Sequence, residues 1–68
     1  MDIGKAIKTI RKRKSITMRE ICEKTGLKDE TYYKVANGGG FHFSTLELIA
    51  AGLGVRVSDI ILEAENTE

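Results

Sequence analysis

A run of four basic residues, from Arg11 to Lys14, is the feature of the sequence with the clearest chemical meaning. Clustered guanidinium and ammonium groups attract phosphate-rich polyanions. Residues 1–14 carry six basic side chains and one acidic side chain, a net charge of +5, whereas residues 15–34 are neutral and residues 35–68 have a net charge of −4. The amino-terminal end is therefore suited to a polyanion, and a solvated basic helix end is the alternative interpretation.

Groups capable of covalent or metal chemistry are few. One histidine (His42) and one cysteine (Cys22) stand far apart, with no third group that would complete a catalytic or metal-ligand set. Helical spacing from Met18 puts Cys22 on a buried face, where cysteine behaves as a small apolar side chain. The glycine run 38–40 lacks the preceding strand and following Lys-Ser/Thr of a P-loop. We therefore expect no enzymatic activity, metal, cofactor or small-molecule ligand.

The length of 68 residues restricts the chain to one small domain. The composition is 41% hydrophobic and 31% charged and contains no proline, which favours a globular, all-helical domain. A single cysteine excludes an internal disulfide and indicates a reducing compartment. No apolar run approaches the roughly 20 residues that cross a bilayer, and the amino terminus lacks a signal-peptide pattern. We expect a cytoplasmic protein without a membrane partner.

The elements that would position the basic residues are five short helices, predicted from apolar periodicity and capping residues. The first begins after the N-cap Asp2 and ends near Lys14. Its inner face holds apolar residues at helical spacing, namely Ile3, Ala6, Ile7 and Ile10. The second helix opens on a capping box formed by Thr17 and Glu20, and Gly26 ends it. The inner face of that helix consists of Met18, Ile21, Cys22 and Thr25.

The third helix is predicted over residues 29–36, with Tyr32 and Val35 inward and Asn37-Gly38 ending it. A second capping box from Ser44 to Glu47 predicts the start of a fourth helix, which ends at Gly54. The inner face of the fourth helix holds Leu46, Ile49, Ala50 and Leu53, and Phe43 is also expected in the core.

The last helix is predicted to be short, to be capped by Arg56 or Ser58, and to hold residues 60–62. Residues 55–58 alternate and contain two valines, so a short strand is the alternative there. Residues 64–68 are predicted to be a frayed tail, which places the end of the domain at residue 63.

Two short helices that meet at Gly26, with Leu27 in the angle between them, match a helix-turn-helix, whose second helix fits the major groove of DNA. At this point the sequence resembles the phage repressor/Cro-type helix-turn-helix regulators. The resemblance covers residues 3–62 and rests on residues 3–11 and the segments T-M-R-E-I-C-E-K-T-G-L, K-D-E-T-Y-Y-K-V-A-N-G and S-T-L-E-L-I-A-A-G-L-G-V. It implies an all-α, lambda-repressor-like domain over residues 1–63.

The chain departs from the family pattern at four places. Met18 stands where the family usually has a DNA-contacting glutamine. Ala36 replaces a glutamate that pairs with an arginine matching Arg11, which would leave Arg11 free to reach phosphate. Lys28 replaces a Ser or Thr N-cap, so Asp29 becomes the candidate cap. The glycine-rich loop after Asn37 also lacks the usual proline.

The resemblance implies base contacts from the second helix of the motif, by Lys28, Asp29, Glu30, Tyr33 and Lys34. Lysine donates to guanine and a carboxylate accepts from cytosine N4. Asp29 equally fits a stabilising role at the positive end of its helix. Tyr33 fits a phosphate contact, a thymine-methyl contact or a half-buried aromatic position. The predicted phosphate-contacting residues are Arg11, Arg13, Lys14, Thr17, Thr31, Gly39 and Gly40.

The resulting hypothesis is a sequence-specific regulator of transcription, a repressor or controller protein, that binds a palindromic double-stranded DNA operator as a homodimer. Apolar residues left over after the core is filled predict the dimer interface, namely Leu48, Val57, Ile61 and Leu62. The alternative is a protein-interaction module, such as an antitoxin or adaptor, which Met18 and the net charge of only +1 favour.

Overall fold

The computed structural model describes residues 2–66, which form five α-helices and include no strand. In chain order the helices are α1 (Ile3–Arg13), α2 (Met18–Thr25), α3 (Asp29–Ala36), α4 (Phe43–Leu53) and α5 (Val57–Asn66). The predicted all-α fold of five short helices is confirmed. Helix α1 packs on α3 and α5, and α2 packs on α3 and α4, so that α3 is held from two sides.

The core is one cluster of apolar side chains to which every helix contributes. Its buried members are Ala6, Ile7, Ile10, Ile21, Cys22, Tyr32, Val35, Ala36, Leu46, Ile49, Ala50, Leu53, Ile60 and Ala64. The inner faces predicted for α3 and α4 are confirmed, and on α1 only Ile3 is less than fully buried. The expectation that Phe43 belongs to the core is wrong, since this side chain is 60% exposed. Phe43 is the first residue of α4, and the buried stripe of that helix begins only at Leu46.

Two of the predicted helix starts are confirmed. The Asp2 carboxylate accepts a hydrogen bond from the backbone N–H of Lys5 at 2.9 Å. Thr17 and Glu20 form a complete capping box, in which the Thr17 hydroxyl accepts from the Glu20 N–H and the Glu20 carboxylate accepts from the Thr17 N–H, both at 3.2 Å. Each contact satisfies an amide that the first turn of a helix leaves unpaired.

The predicted caps of α3 and α4 are wrong. Lys28, not Asp29, is the N-cap of α3, and its side chain makes no capping hydrogen bond. Helix α4 starts at Phe43 behind the extended residue His42, so Ser44 already lies inside the first turn and its predicted capping box does not form. The backbone enters α3 one residue earlier and α4 two residues earlier than the polar side chains suggested, which leaves the first amides of both helices without a side-chain partner.

A residue in the left-handed backbone conformation follows each of the first four helices. Gly26 and Gly54 have φ values of 76° and 73° at the ends of α2 and α4, as the sequence predicted. After α3, Gly38 has a φ of 86°, its N–H donates to the Val35 carbonyl, and the N–H of Gly39 donates to the Lys34 carbonyl. This pair of bonds is a Schellman motif, which satisfies the last carbonyls of the helix.

Ser15 adopts the same left-handed conformation after α1, with a φ of 56°, although it is not a glycine. Ser15→Gly is therefore expected to raise the free energy of unfolding by about 1 kcal/mol, because a left-handed backbone costs a residue with a Cβ about 1–2 kcal/mol. Urea unfolding would measure the gain. Ser58→Gly, inside α5, is the matched control and should lower stability instead. A Ser15→Gly protein no more stable than the parent would contradict this view of the turn.

Helix α5 is longer than predicted. The alternative of a strand at residues 55–58 is wrong, because α5 begins at Val57, and the N–H of the preceding residue Arg56 donates to Asp59 Oδ2 at 2.9 Å. The tail prediction is also wrong for residues 64–66, which continue α5, and Ala64 is fully buried against the core. Residues 67 and 68 lie outside the described part of the chain.

Helices α1 and α3 cross in very close contact at Gly4. A Cβ atom at this position would overlap the carbonyl oxygen of Ala36 and lie 3.0 Å from the carbonyl oxygen of Val35. Only a residue without a side chain lets the two backbones approach this far. The crossing therefore fixes α1 against the carboxyl-terminal end of α3.

Candidate nucleic-acid interface

The turn between α2 and α3 is fixed by local hydrogen bonds. Gly26 lets the chain reverse, and its N–H donates to the Cys22 carbonyl at 2.8 Å. The Thr25 hydroxyl donates to the Ile21 carbonyl at 2.7 Å and accepts from the Leu27 N–H at 3.3 Å. Leu27 packs against the core from the turn. These contacts set the direction in which α3 leaves α2.

Helix α3 buries one face and leaves the other in solvent. Tyr32, Val35 and Ala36 are buried, whereas all five predicted base-contacting residues are exposed, namely Lys28, Asp29, Glu30, Tyr33 and Lys34. The structure therefore brings Asp29, Glu30, Tyr33 and Lys34 together along the outer side of α3 and places Lys28 at the N-cap of the same helix. Donors and acceptors in this arrangement match what base edges in a major groove present.

Two side chains on this face are held by their neighbours. The Tyr33 ring meets the ring of buried Tyr32 edge to face, with centroids 6.0 Å apart, and the Tyr33 side chain remains 49% exposed. The aliphatic part of Lys34 lies over Gly39, where an added Cβ would stand 2.7 Å from Lys34 Cγ. Gly39 therefore helps to position Lys34 on the outer face of α3.

The prediction that Arg11 is free to reach phosphate is wrong. Its side chain is partly buried, and its Nη1 donates to the Ile16 carbonyl at 3.2 Å, which ties α1 to the turn before α2. Arg11 Nε and the Tyr32 hydroxyl are both buried without a hydrogen-bond partner among residues 2–66. Burial raises the pKa of Tyr32 above its ordinary value, and the nearby positive charge of Arg11 offsets part of that rise.

Arg13 faces the last helix. Its Nη1 lies 2.9 Å from Glu63 Oε1 of α5, so part of the basic cluster is already paired within the chain. Lys14 is the C-cap of α1 and is exposed. Thr17 is exposed too, but its hydroxyl is engaged in the capping box, which leaves the first amides of α2 as the groups that face outward.

The loop after α3 offers less to phosphate than predicted. The Gly39 N–H is occupied by the Lys34 carbonyl, at 2.7 Å, so the expected contact through this amide is wrong. Gly40 is exposed and has no close neighbour at its Cα. Thr31 is half-buried and lines, with Lys34, Gly40, Phe41 and His42, a shallow depression of about 140 Å³ beside α3.

Cys22 is buried, with its Sγ 3.5 Å from the Sδ of Met18. Burial raises the pKa of the Cys22 thiol, and the neighbouring carboxylate of Asp29 adds to the rise. The thiol therefore stays protonated and apolar, as predicted. Met18 packs inward with it, which explains how an apolar side chain is accommodated at the position where the family carries glutamine.

One contact at the end of α3 does not follow from the sequence. Lys8 Nζ of α1 donates to Asn37 Oδ1 at 3.2 Å, across 29 residues of sequence. A signal was present, because Lys5 and Lys8 stand at i and i+3 opposite the buried isoleucines of α1. The partner Asn37 is not identifiable from spacing, since it depends on how α1 crosses α3.

The predicted dimer residues lie on α4 and α5 and differ in exposure. Leu48 and Leu62 are 42% and 59% exposed, whereas Val57 and Ile61 are half-buried. Among residues 2–66, no three His, Cys, Asp or Glu side chains are grouped to hold a metal ion. No helix in the same range is long and apolar enough to span a bilayer.

A capped helix, a left-handed glycine turn and a second helix with an exposed polar face together define a helix-turn-helix DNA-binding unit. In agreement, the helix-turn-helix family matches residues 7–60. The chain belongs to this family, which confirms its resemblance to the repressor/Cro-type regulators and the lambda-repressor-like fold.

A competence pilus inhibition repressor of Acinetobacter baylyi (strain ATCC 33305 / BD413 / ADP1) is 32% identical to the chain over 69 residues. The alignment covers the whole chain but only 63% of that repressor, so the relative contains sequence that this chain does not match. No solved structure gives a significant match.

Proposed function

We propose that this protein represses transcription by binding a palindromic operator as a homodimer, with α3 in the major groove of each half-site. The observation that carries the proposal is the outer face of α3, where four exposed side chains of the helix and that of its N-cap Lys28 stand together. The repressor role is supported by the name of the Acinetobacter baylyi relative.

The exposed residues on and around α3 take two roles: some contact base edges, and others contact phosphates and position the protein. Lys34 is held over Gly39 and points away from the core, which suits a hydrogen bond to guanine O6 or N7. Asp29 and Glu30 contribute specificity rather than affinity, because carboxylates are repelled by phosphates and accept in the groove only from the amino groups of cytosine (N4) and adenine (N6). Lys14, the first amides of α2 behind the Thr17 cap and the exposed backbone of Gly40 take positioning roles on the phosphates.

The size of the molecule favours a dimer. The longest extent of the described residues is 29 Å, which is less than the roughly 34 Å of one turn of B-DNA. One chain therefore reads only one stretch of major groove, and a second copy is needed to read the next stretch on the same side of the duplex.

Lys34→Ala is expected to weaken binding to the best operator by about 1–3 kcal/mol and to relax the preference at one base pair. Thr17→Ala should instead weaken every duplex by a similar factor, because losing the cap disturbs the first amides of α2, and a phosphate contact carries no sequence information. Selection of bound sequences from a random duplex pool, followed by fluorescence anisotropy on the selected site, measures both effects.

Thr17→Ser keeps the capping hydroxyl and is the control for loss of the capping box. A uniform loss for Lys34→Ala would assign Lys34 to phosphate. A protein that selects no sequence and binds no duplex at low salt would contradict the proposal and favour the protein-interaction alternative.

A further inference from the structure

We propose that Lys5 and Lys8 of α1, together with Asn37 at the end of α3, form a further phosphate-binding surface beside the recognition helix. Both lysines belong to the basic segment of residues 1–14, but neither is among the predicted phosphate-contacting residues. The inference rests on the proposed binding of DNA by α3, and it extends the contact with DNA from the helix-turn-helix to the first helix of the domain.

The placement of α1 supports this surface. The contact between Gly4 and the Ala36 carbonyl holds the first turns of α1 directly against the end of α3. One turn further along, Lys8 Nζ donates to Asn37 Oδ1 at 3.2 Å. An ammonium group of α1 is thus in direct contact with the C-cap residue of α3.

The hydrogen bond between Lys8 and Asn37 lies on the side of α3 that faces outward. Asn37 follows Tyr33 by four residues, one helical turn, and is exposed like Tyr33. Phosphates border the major groove along both of its edges, so a helix lying in the groove brings the elements on its flanks close to them. Lys8 is such a flanking group at the carboxyl-terminal end of α3.

The chemistry of the surface fits a phosphate. Lys5 and Lys8 are exposed, and neither forms an ion pair with a carboxylate of residues 2–66. Both line an open depression of about 370 Å³ whose other walls include Asn37, Gly38 and Asp2. The Asp2 carboxylate is engaged as the cap of α1, so the two ammonium groups outnumber it.

Phosphate is also a better partner for Lys8 than the one it has now. The Asn37 side-chain oxygen is a neutral acceptor, whereas a phosphate oxygen is negatively charged and adds Coulombic attraction to the hydrogen bond from the ammonium group. The Asn37 amide group would then be free to donate its own N–H to the same phosphate. The Lys8–Asn37 pair therefore places two hydrogen-bond donors, the Lys8 ammonium group and the Asn37 amide group, at the edge of the exposed face of α3.

The test is Lys8→Ala, with affinity measured by fluorescence anisotropy on a selected and a random duplex between about 50 and 200 mM salt. Losing one phosphate contact should reduce the log–log salt slope by about 0.9 and lower affinity about eightfold at 0.1 M salt, equally for both duplexes. The double variant Lys5→Ala/Lys8→Ala should lose about 60-fold. The base preference should not change.

Lys24→Ala is the matched control, because it also removes one exposed positive charge but lies at the end of α2, next to Thr25, which packs on Gly52 of α4. Its salt slope should equal that of the parent, and Lys8→Arg should keep the parental slope because it keeps the charge. An unchanged slope in Lys8→Ala, with Lys34→Ala still altering binding, would overturn this inference alone. If the parent protein bound no duplex, the proposed function would fail as well.

Discussion

Gly4→Ala is expected to lower the free energy of unfolding by about 2 kcal/mol or more. The new Cβ would overlap the carbonyl oxygen of Ala36 and press on that of Val35, and both atoms belong to backbone that cannot rotate aside. Overpacking usually costs about 1–3 kcal/mol, and here it exceeds the roughly 1 kcal/mol that alanine gains over glycine inside a helix. A chain of 68 residues has a total stability of only about 3–10 kcal/mol.

Thermal unfolding followed by circular dichroism should show the melting temperature falling by roughly 10 °C. Gly40→Ala is the control, since a Cβ there meets no atom within 4 Å and φ is not positive. Gly52→Ala should lie in between, because its added Cβ meets side-chain methyl groups of Ile21 and Thr25, which can shift. A Gly4→Ala protein as stable as Gly40→Ala would show that α1 and α3 separate at little cost.

The parts of this fold that the sequence predicts are those decided by neighbouring residues. The capping box at Thr17, the left-handed turn at Gly26 and the isoleucine stripe of α1 each depend on contacts within one turn. Local geometry fixes them whatever the rest of the chain does. For the same reason, the exposed face of α3 follows from the spacing of Tyr32 and Val35 once these two residues are placed in the core.

The sequence-based predictions fail where local signals compete or where tertiary packing determines the structure. Ser44 offers a good cap, but the chain already turns into α4 at Phe43, and the apolar Phe43 then lies beside the core instead of within it. At the other end, Ala64 carries no strong helix or tail signal, and the pocket it fills exists only after α5 packs on α1. Tertiary contacts override weak local preferences in both places.

In the candidate interface, too, local features follow from the sequence and tertiary contacts do not. Which residues of α3 face outward is a matter of helical periodicity, and the sequence predicts it. That Arg11 bonds to Ile16, Arg13 pairs with Glu63 and Lys8 reaches Asn37 depends on how α1 lies across its neighbours. Charge counted along the chain therefore identifies the basic end but not which of its cations are free.

Leu62→Asp is expected to convert a dimer that dissociates in roughly the micromolar range into a monomer and to lower affinity for a palindromic operator about 100-fold or more. The Leu62 side chain is 59% exposed on α5, so a charge placed there costs the isolated fold little but is buried unpaired in any interface. Losing the dimer removes the gain from binding two half-sites, whereas affinity for random duplex should fall far less.

Phe43→Asp is the matched control, because Phe43 is 60% exposed but lies at the start of α4, outside the predicted interface. In analytical ultracentrifugation Phe43→Asp should remain dimeric while Leu62→Asp sediments as a monomer. Repulsion between the acidic ends of two copies is weaker than the net charge of residues 35–68 suggests, since Arg13 of the same chain already pairs with Glu63. The dimer should accordingly respond only weakly to salt. If Leu62→Asp stays dimeric, or Phe43→Asp dissociates instead, the two copies associate through another face and α5 is not the contact that sets the spacing of the half-sites.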